Sequence, residues 1–503
     1  MNETTALLPS SLSRLIATSA LAITATVAAI PSIADTSDFR GMNWARLGDN
    51  FTSDQLVLQG LNINDSYSTI YTKASAIYGD MSSTMGINTV RLPVNPATVS
   101  DTTWWSNYRA TIDAATNRGF KVILTYWEDG SNSGGKVSDM STWNTMWSTI
   151  VNTYAGNNLV YFEPMNEPHG YSSSQWRDIA ADWLNSYNSA PINRVLIDGV
   201  GYAQDVTDIC NDSRFDGSLL SLHHYAFFYG ENDYWGWRNH FEARQSSCYD
   251  RVVVTEFGAP MDTGLNYMAT EYSDNFIAHI RAVTGSMHDR KIGSVYWPAA
   301  GGKITDGRGD YDYYSMFAIS GTNSDMCLSA RNVSGAQRVM FGWGDTNPTV
   351  TDGCDDNSGI ISGKAYYIQN RNSGMCLRTL NGSTADATSI VQYSCGTDDV
   401  EKWIVSTIGN NQYTIVQAAS GKSADINGAS TENGANNIIW PRNSGNNQKW
   451  RIEPQGNGYV HIVNVNSGLL LDINGASTAD NGNNIQWPEN GGANQDWTFI
   501  VAD

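Results

Sequence analysis

The chain has 503 residues, more than one ordinary compact domain holds, so two domains are the expectation. With 50 Asp and Glu against 30 Lys and Arg the net charge is −20, which argues against nucleic acid and anionic membranes as partners, since both require basic patches. Low basic content beside 17 Trp and 25 Tyr suits a neutral polar ligand with flat apolar faces, such as a sugar: its hydroxyls take hydrogen bonds and its C–H faces stack on rings.

Residues 1–34 read as an export signal. Arg14 gives the positive end, Leu15 to Ile30 is an uncharged Ala-rich apolar run, and Ser32 and Ala34 place small residues ahead of a cleavage point before Asp35. The run is short for a membrane span and lacks a stop-transfer flank. A secreted, extracellular protein is therefore expected, with a monomer as the default state. Export permits disulfides, and all six cysteines lie from Cys210 onward, none in a CxxC or metal-ligand spacing. Cys376 and Cys395 fall close together; Cys210 with Cys248 and Cys327 with Cys354 are reasonable remaining pairs, and spacing alone leaves the connectivity open.

From Arg40 to about Pro298, short β-branched runs alternate with stretches of helical length. The runs cover 41–44, 89–94, 121–127, 159–164, 194–199, 219–225, 251–258 and 293–298. Each is continuously apolar, as strands buried on both faces are, and each passes into polar or aromatic residues at its C-terminal end. Eight such strands alternating with helices predict an α/β fold, a (β/α)₈ TIM barrel over 35–346, with its chemistry at the C-terminal strand ends. A polar stretch, 347–362, reads as a linker. Beyond it, over 363–503, Trp403, Trp450 and Trp497 recur 47 residues apart, as do Tyr393, Trp440 and Trp487, and Arg378, Asp425 and Asp472. A period of that size marks stacked structural repeats, here an all-β trefoil.

Strand four runs into Glu163-Pro164-Met165-Asn166-Glu167-Pro168, and strand seven ends in Thr255-Glu256-Phe257-Gly258. Two carboxylates at barrel strand tips are what glycoside hydrolysis needs, one protonated to release the leaving oxygen and one ionised against the anomeric carbon. On these residues the barrel resembles glycoside hydrolase family 5. The resemblance implies Glu167 as acid/base, Glu256 as nucleophile, and Asn166 as the residue bonded to the sugar 2-hydroxyl. It also implies that Arg91 holds the nucleophile ionised, that His223 and Tyr225 face the site together, and that Trp297 is the platform beneath the sugar. Alternation along strand six puts His224 on the opposite side, as a packing residue. Glu163, two residues nearer the strand, is assigned structural contacts.

One departure stands out. Family members often carry a histidine at the end of strand three, where this chain has Trp127. Trp127 is either a stacking platform or a wall that closes a subsite, so specificity for cellulose does not carry over. Glu128 and Asp129, just beyond, read more simply as solvated loop carboxylates. Trp104-Trp105 and Tyr234-Trp235-Gly236-Trp237 are either further platforms on loops or loop packing.

The repeat closures Glu401-Lys402-Trp403, Asn447-Gln448-Lys449-Trp450 and Asn494-Gln495-Asp496-Trp497 resemble the Gln-x-Trp repeats of ricin B-type lectins and family 13 carbohydrate-binding modules. The resemblance implies that these Trp residues form the threefold core. It assigns sugar binding to Asp425, Trp440 and Asn447 in the second repeat and to Asp472, Trp487 and Asn494 in the third. The first repeat, with Arg378, Val400 and Glu401 at the matching places, is expected not to bind.

The expectation is a retaining β-glycosidase acting on a β-linked polysaccharide, with no metal or organic cofactor. A transglycosylase using the same residues, and a sugar-binding protein with a silent barrel, are the alternatives.

Overall fold

The computed structural model describes residues 36–129, 134–305, 307–308, 311–354, 358–456 and 458–502; the expected export signal lies outside them. The eight apolar runs form eight strands: β1 (Arg40–Leu47), β2 (Thr89–Val94), β3 (Lys121–Tyr126), β4 (Val160–Glu163), β5 (Leu196–Asp198), β6 (Leu219–His224), β7 (Val252–Phe257) and β8 (Gly293–Gly302). They pair in parallel in the order β4-β3-β2-β1-β8-β7-β6-β5, and a bridge between Phe162 and Val195 joins the two ends. Strands β2, β6, β7 and β8 are buried along their whole length, which explains why they read as unbroken apolar runs.

Helices α1 (Tyr67–Met85), α2 (Pro96–Ser100), α3 (Thr102–Asn117), α4 (Met140–Tyr154), α5 (Ser173–Ser186), α6 (Thr207–Cys210), α7 (Tyr234–Ala243) and α8 (Asn275–Arg290) connect the strands. Most begin where a short polar side chain accepts first-turn amides: Ser66, Asp101, Asp139, Asp233 and Asp274 do so, and Ser172 forms a full capping box with Gln175. Each such cap is worth about 1 kcal/mol.

After β8 the chain adds a hairpin, β9 (Phe317–Ser320) with β10 (Cys327–Ala330), and α9 (Val333–Gly342), which is pinned to α8 by Arg338 Nε donating to Thr284 Oγ1 at 2.8 Å. The stretch 347–362 is tied down at several points. The Gly353 amide bonds to Leu328, Cys354 is joined to Cys327, and the Ser362 hydroxyl bonds to the Arg331 carbonyl. The other cysteines pair as Cys210–Cys248 and Cys376–Cys395.

Twelve strands, from β11 (Lys364–Asn370) to β22 (Trp497–Val501), make the trefoil. Its threefold core rests on Trp403, Trp450 and Trp497. Each is buried, and each indole N–H donates to a carbonyl 26 residues upstream: Leu377 at 3.0 Å, Ala424 at 3.4 Å and Leu471 at 3.2 Å. The trefoil sits firmly on the barrel. Asp262, past β7, pairs with Arg308 at 2.7 Å and with trefoil Arg442 at 3.0 Å, while Arg331 donates to the Thr407 carbonyl at 2.8 Å.

Candidate active site

At the C-terminal mouth of the barrel a cavity of about 480 Å³ is lined by Trp127, Glu128, Glu167, Tyr225, Glu256 and Trp297, with Tyr202, Phe227, Phe228, Tyr313 and Tyr314 around the rim. Six of the eight expected barrel residues join one hydrogen-bond network built on the Arg91 guanidinium and the His223 imidazole, Tyr225 through Glu256. Arg91, fully buried on β2, donates Nε and Nη2 to the two oxygens of Glu163 at 2.8 and 2.6 Å and Nη1 to Glu256 Oε1 at 2.6 Å. Nη1 and Nη2 also reach Asn43 Oδ1 at 3.0 Å and Asn166 Oδ1 at 2.7 Å. Because arginine only donates, Asn166 must turn its oxygen to Arg91. That leaves its Nδ2, which has no partner among the described residues, free to donate to a sugar hydroxyl.

His223 faces both Glu167 and Glu256 through one nitrogen. Its Nδ1 lies 3.0 Å from Glu167 Oε1 and 3.7 Å from Glu256 Oε2. The geometry depends on a one-residue register shift: Leu222 stands opposite Val254, but His223 stands opposite Glu256. The extra residue, Thr255, lets two strands of period two present both side chains to the same point. Tyr225 donates its hydroxyl to Glu256 Oε2 at 3.0 Å. A carboxylate oxygen of each glutamate and a ring nitrogen of His223 lie within 4.8 Å of one another. His224 turns the other way, bonded to His279 at 2.9 Å and to His240 at 3.0 Å.

The two glutamates have unlike surroundings. Burial pushes the Glu167 carboxyl up to about 7, with Arg91 only partly opposing it. Burial also raises Glu256, but His223 and the Arg91 ion pair act against the shift; the pull of Arg91 is thus outweighed in net direction, although its contact is direct. Burial lowers the His223 imidazole to about 4, which leaves the ring neutral with Nδ1 turned to the two glutamates. Arg91 holds Glu163 below the ordinary carboxylate range in spite of burial. A group that must be protonated to act loses activity above its pKa. The kcat/KM profile should therefore fall about tenfold per unit as pH rises beyond about 7, measured on any substrate the enzyme cleaves.

Trp127 lines the cavity and also backs the platform: its ring stacks on Trp297 with centroids 5.3 Å apart and planes 24° apart. Glu128 is buried rather than solvated; its Oε1 accepts the Gly135 amide at 2.8 Å, and burial raises it to about 7. Trp104 and Trp105 are not loop platforms. They lie on α3 and pack into the barrel core; Trp237 on α7 is buried in a separate cluster with Ala278 and Ala282 of α8, whereas Trp235 is exposed. Sequence reading passed over Asn43, Asp198 and the rim aromatics. The signal for Asp198 was present, an acid closing an apolar run as Glu163 does, and the run Phe227-Phe228-Tyr229 marked the rim.

In the trefoil, Trp440 and Trp487 are 39% and 40% exposed, the only large rings of their lobes left open to this extent among the described residues. Below them Asp425 accepts Gln448 Nε2 at 2.7 Å, and Asp472 accepts Gln495 Nε2 at 2.9 Å and Asn494 Nδ2 at 2.8 Å. Asn447 and Asn494 also donate to the Ile426 and Ile473 carbonyls at 3.4 and 3.3 Å. The first lobe keeps the same link with its polarity reversed: Arg378 donates to Glu401 at 3.2 Å, where the others have Asp accepting from Gln. Its guanidinium lies 4.6 Å over the Tyr393 ring and covers one of its faces.

Two family models match the chain, one over each part. The family model Cellulase (glycosyl hydrolase family 5) matches residues 50–302, and the model for the ricin-type β-trefoil lectin domain-like family matches 358–440 and 446–503. A comparison with curated proteins gives no match. Among solved structures, the designed threefold-symmetric protein ThreeFoil is 39% identical over 27% of this chain and 97% of its own, at a TM-score of 0.27. An exo-β-1,3-galactanase from Clostridium thermocellum is 28% identical over 36% of this chain and 40% of its own, at a TM-score of 0.27. XacCel5A, solved with cellopentaose, is 15% identical over 48% of this chain and 83% of its own, at a TM-score of 0.38. With its paired glutamates at the ends of β4 and β7 and a family match across half its length, the chain belongs to the cellulase family, glycosyl hydrolase family 5, and carries a ricin-type lectin-like domain after the barrel.

Proposed function

We propose that the protein is a secreted, retaining β-glycosidase that hydrolyses a β-linked polysaccharide and is held on glycan by its trefoil. In this reading 1–34 is the export signal, 35–346 the catalytic barrel, 347–362 the connection and 363–503 the binding domain. Three disulfides and the absence, among the described residues, of a helix long and apolar enough to cross a membrane are compatible with export. The observation that carries the catalytic reading is the approach of the Glu167 and Glu256 oxygens to within 4.8 Å. Retaining enzymes hold their carboxyl groups about 5–5.5 Å apart, while inverting ones leave roughly 6.5–9.5 Å for a water.

The steps follow from these surroundings. Glu256, ionised, attacks the anomeric carbon as the glycosidic C–O bond breaks, and the leaving oxygen takes the Glu167 proton. Glu167, now a carboxylate, removes a proton from water; the water oxygen bonds to the anomeric carbon and Glu256 leaves as carboxylate. Asn166 Nδ2 holds the 2-hydroxyl, Trp297 underlies the ring, and His223 and Tyr225 orient the two acids. The test is activity over β-glucan, mannan, xylan, galactan and chitosan, following reducing ends and product sizes. Turnover of one polymer supports the reading. Transfer products outweighing free sugar would replace hydrolase by transglycosylase, and retention on a glycan without turnover would leave a binding protein.

The trefoil reading has its own test. Trp440→Ala and Trp487→Ala should each weaken retention in a glycan affinity gel on the order of tenfold, as loss of an exposed anchor ring does. The double variant should lose more than either, because two lobes on one polymer gain through effective concentration. Tyr393→Ala should leave retention unchanged.

A further inference from the structure

Asp198 closes β5 and is fully buried. Its carbonyl accepts Trp176 Nε1 from α5 at 2.7 Å, which fixes the end of a strand only three residues long. Its carboxyl reaches the neighbouring strand end, where Oδ2 accepts the Glu167 amide N–H at 2.9 Å. Glu167 needs such a hold. Its φ is 50°, in the left-handed region that disfavours any residue with a Cβ, and it precedes Pro168, which further restricts its backbone. The Glu167 carbonyl is held too, accepting the His169 amide at 2.6 Å and lying 2.9 Å from His169 Nδ1.

Resting on the reading of Glu167 as the acid, we propose that Asp198 is a positioning residue of the reaction. By capturing the Glu167 amide it maintains the left-handed turn that aims the Glu167 carboxyl at His223 Nδ1 and across the cleft from Glu256. The same geometry fixes how Asp198 does this. Asp198 Oδ1 is buried without a partner among the described residues, and carboxyl oxygens of Asp198 and Glu163 lie within 4.8 Å of each other and of a His223 nitrogen. Arg91 already neutralises part of the charge on Glu163 and Glu256, so a third carboxylate here would have no counter-charge. A proton on Asp198 removes the conflict: the neutral acid donates from Oδ1 to Glu163 while Oδ2 accepts from Glu167. Burial and the Glu163 charge push its carboxyl well above the usual range, in agreement with that state. Asparagine has the same donor and acceptor in the same places, and alanine has neither.

The experiment compares wild type, Asp198→Asn and Asp198→Ala on the polymer cleaved in the glycan panel and on the 2,4-dinitrophenyl β-glycoside of the same sugar. That leaving group departs without a proton, so a displaced acid does not slow the first step, which kcat/KM reads, although attack of water on the glycosyl-enzyme still needs the same group as base. Asp198→Ala should lower kcat on the polymer on the order of 100-fold with KM nearly unchanged, the scale of a misplaced catalytic group. It should leave kcat/KM for the dinitrophenyl glycoside nearly intact and move the basic limb of the polymer profile, while Asp198→Asn should match wild type on both substrates and in pH dependence. Equal losses of kcat/KM on both substrates for Asp198→Ala would overturn the positioning role while the glycosidase reading stands. If Asp198→Ala does not fold, Asp198→Asn decides: wild-type behaviour supports the proposal, and a large loss on the polymer means an ionised Asp198 is required and overturns it. A wild type inert on both substrates overturns the glycosidase reading and this assignment together.

Discussion

Glu256→Ala should lower hydrolysis on the order of 10⁴-fold or more, the scale on which a covalent nucleophile matters, while the protein stays folded. Both halves follow from the same contacts. Glu256 offers Oε1 to Arg91 and Oε2 to Tyr225, and its side chain opens on the cavity. Removing it strands no buried charge, because Arg91 keeps its two bonds to Glu163. The vacated space borders the cavity, so azide should restore part of the turnover by attacking in place of the carboxylate. Steady-state rates with and without azide, beside a thermal melt, check the three expectations together.

Arg91→Leu should act on stability as well as activity. All of the arginine's hydrogen-bonding nitrogens are engaged, with Glu163, Glu256, Asn43 and Asn166 as acceptors. Its loss leaves two carboxylates in a dry interior without a counter-charge, an arrangement that costs roughly 3–5 kcal/mol. The pH dependence has a definite sign. Glu163 is held below its ordinary value of 4.5 in the native protein, so it contributes stability above that pH and loses the contribution as pH falls through its native pKa. Without Arg91 the remaining acids are relieved by protonation. The deficit against wild type should therefore be largest at neutral pH and narrow towards acid, as melting temperatures across a pH series would register. A deficit independent of pH would mean that lost packing, not charge, dominates.

Much of this was legible in the chain because the relevant physics is local. Buried parallel strands must be apolar throughout, so the eight runs announce themselves, and β2 begins and ends where its run does. Glu167 follows β4 and Glu256 falls near the end of β7, where the barrel collects polar side chains, while Arg91 and Trp297 lie within β2 and β8. The 47-residue recurrence likewise placed Trp403, Trp450 and Trp497 in a core and left Trp440 and Trp487 outside it.

What escaped the sequence is what depends on register and on contacts between distant segments. Nothing local shows that Thr255 is the extra residue that brings His223 opposite Glu256. Asp198 looks like an ordinary strand-end acid until the Glu167 amide is found 2.9 Å away. Trp104 and Trp105 sit in a run too polar to read as a buried helix face, yet Asp101 caps that helix and sinks both rings. The stretch 347–362 has a linker's composition, but a disulfide and backbone bonds hold it against the barrel. In the first trefoil lobe, Arg378 and Glu401 each look like a loss of function; together they exchange donor and acceptor and preserve one structural link.

The central claim is that Glu256 forms a covalent bond to the sugar and Glu167 serves first as acid and then as base. The most direct measurement is proton NMR of the anomer first released from the cleaved β-glycan, recorded before mutarotation equilibrates the product. Double displacement predicts the β-anomer in the earliest spectra, with the α-anomer growing in later. The α-anomer appearing first would contradict the account, since it would require water to attack directly from the face assigned to Glu256.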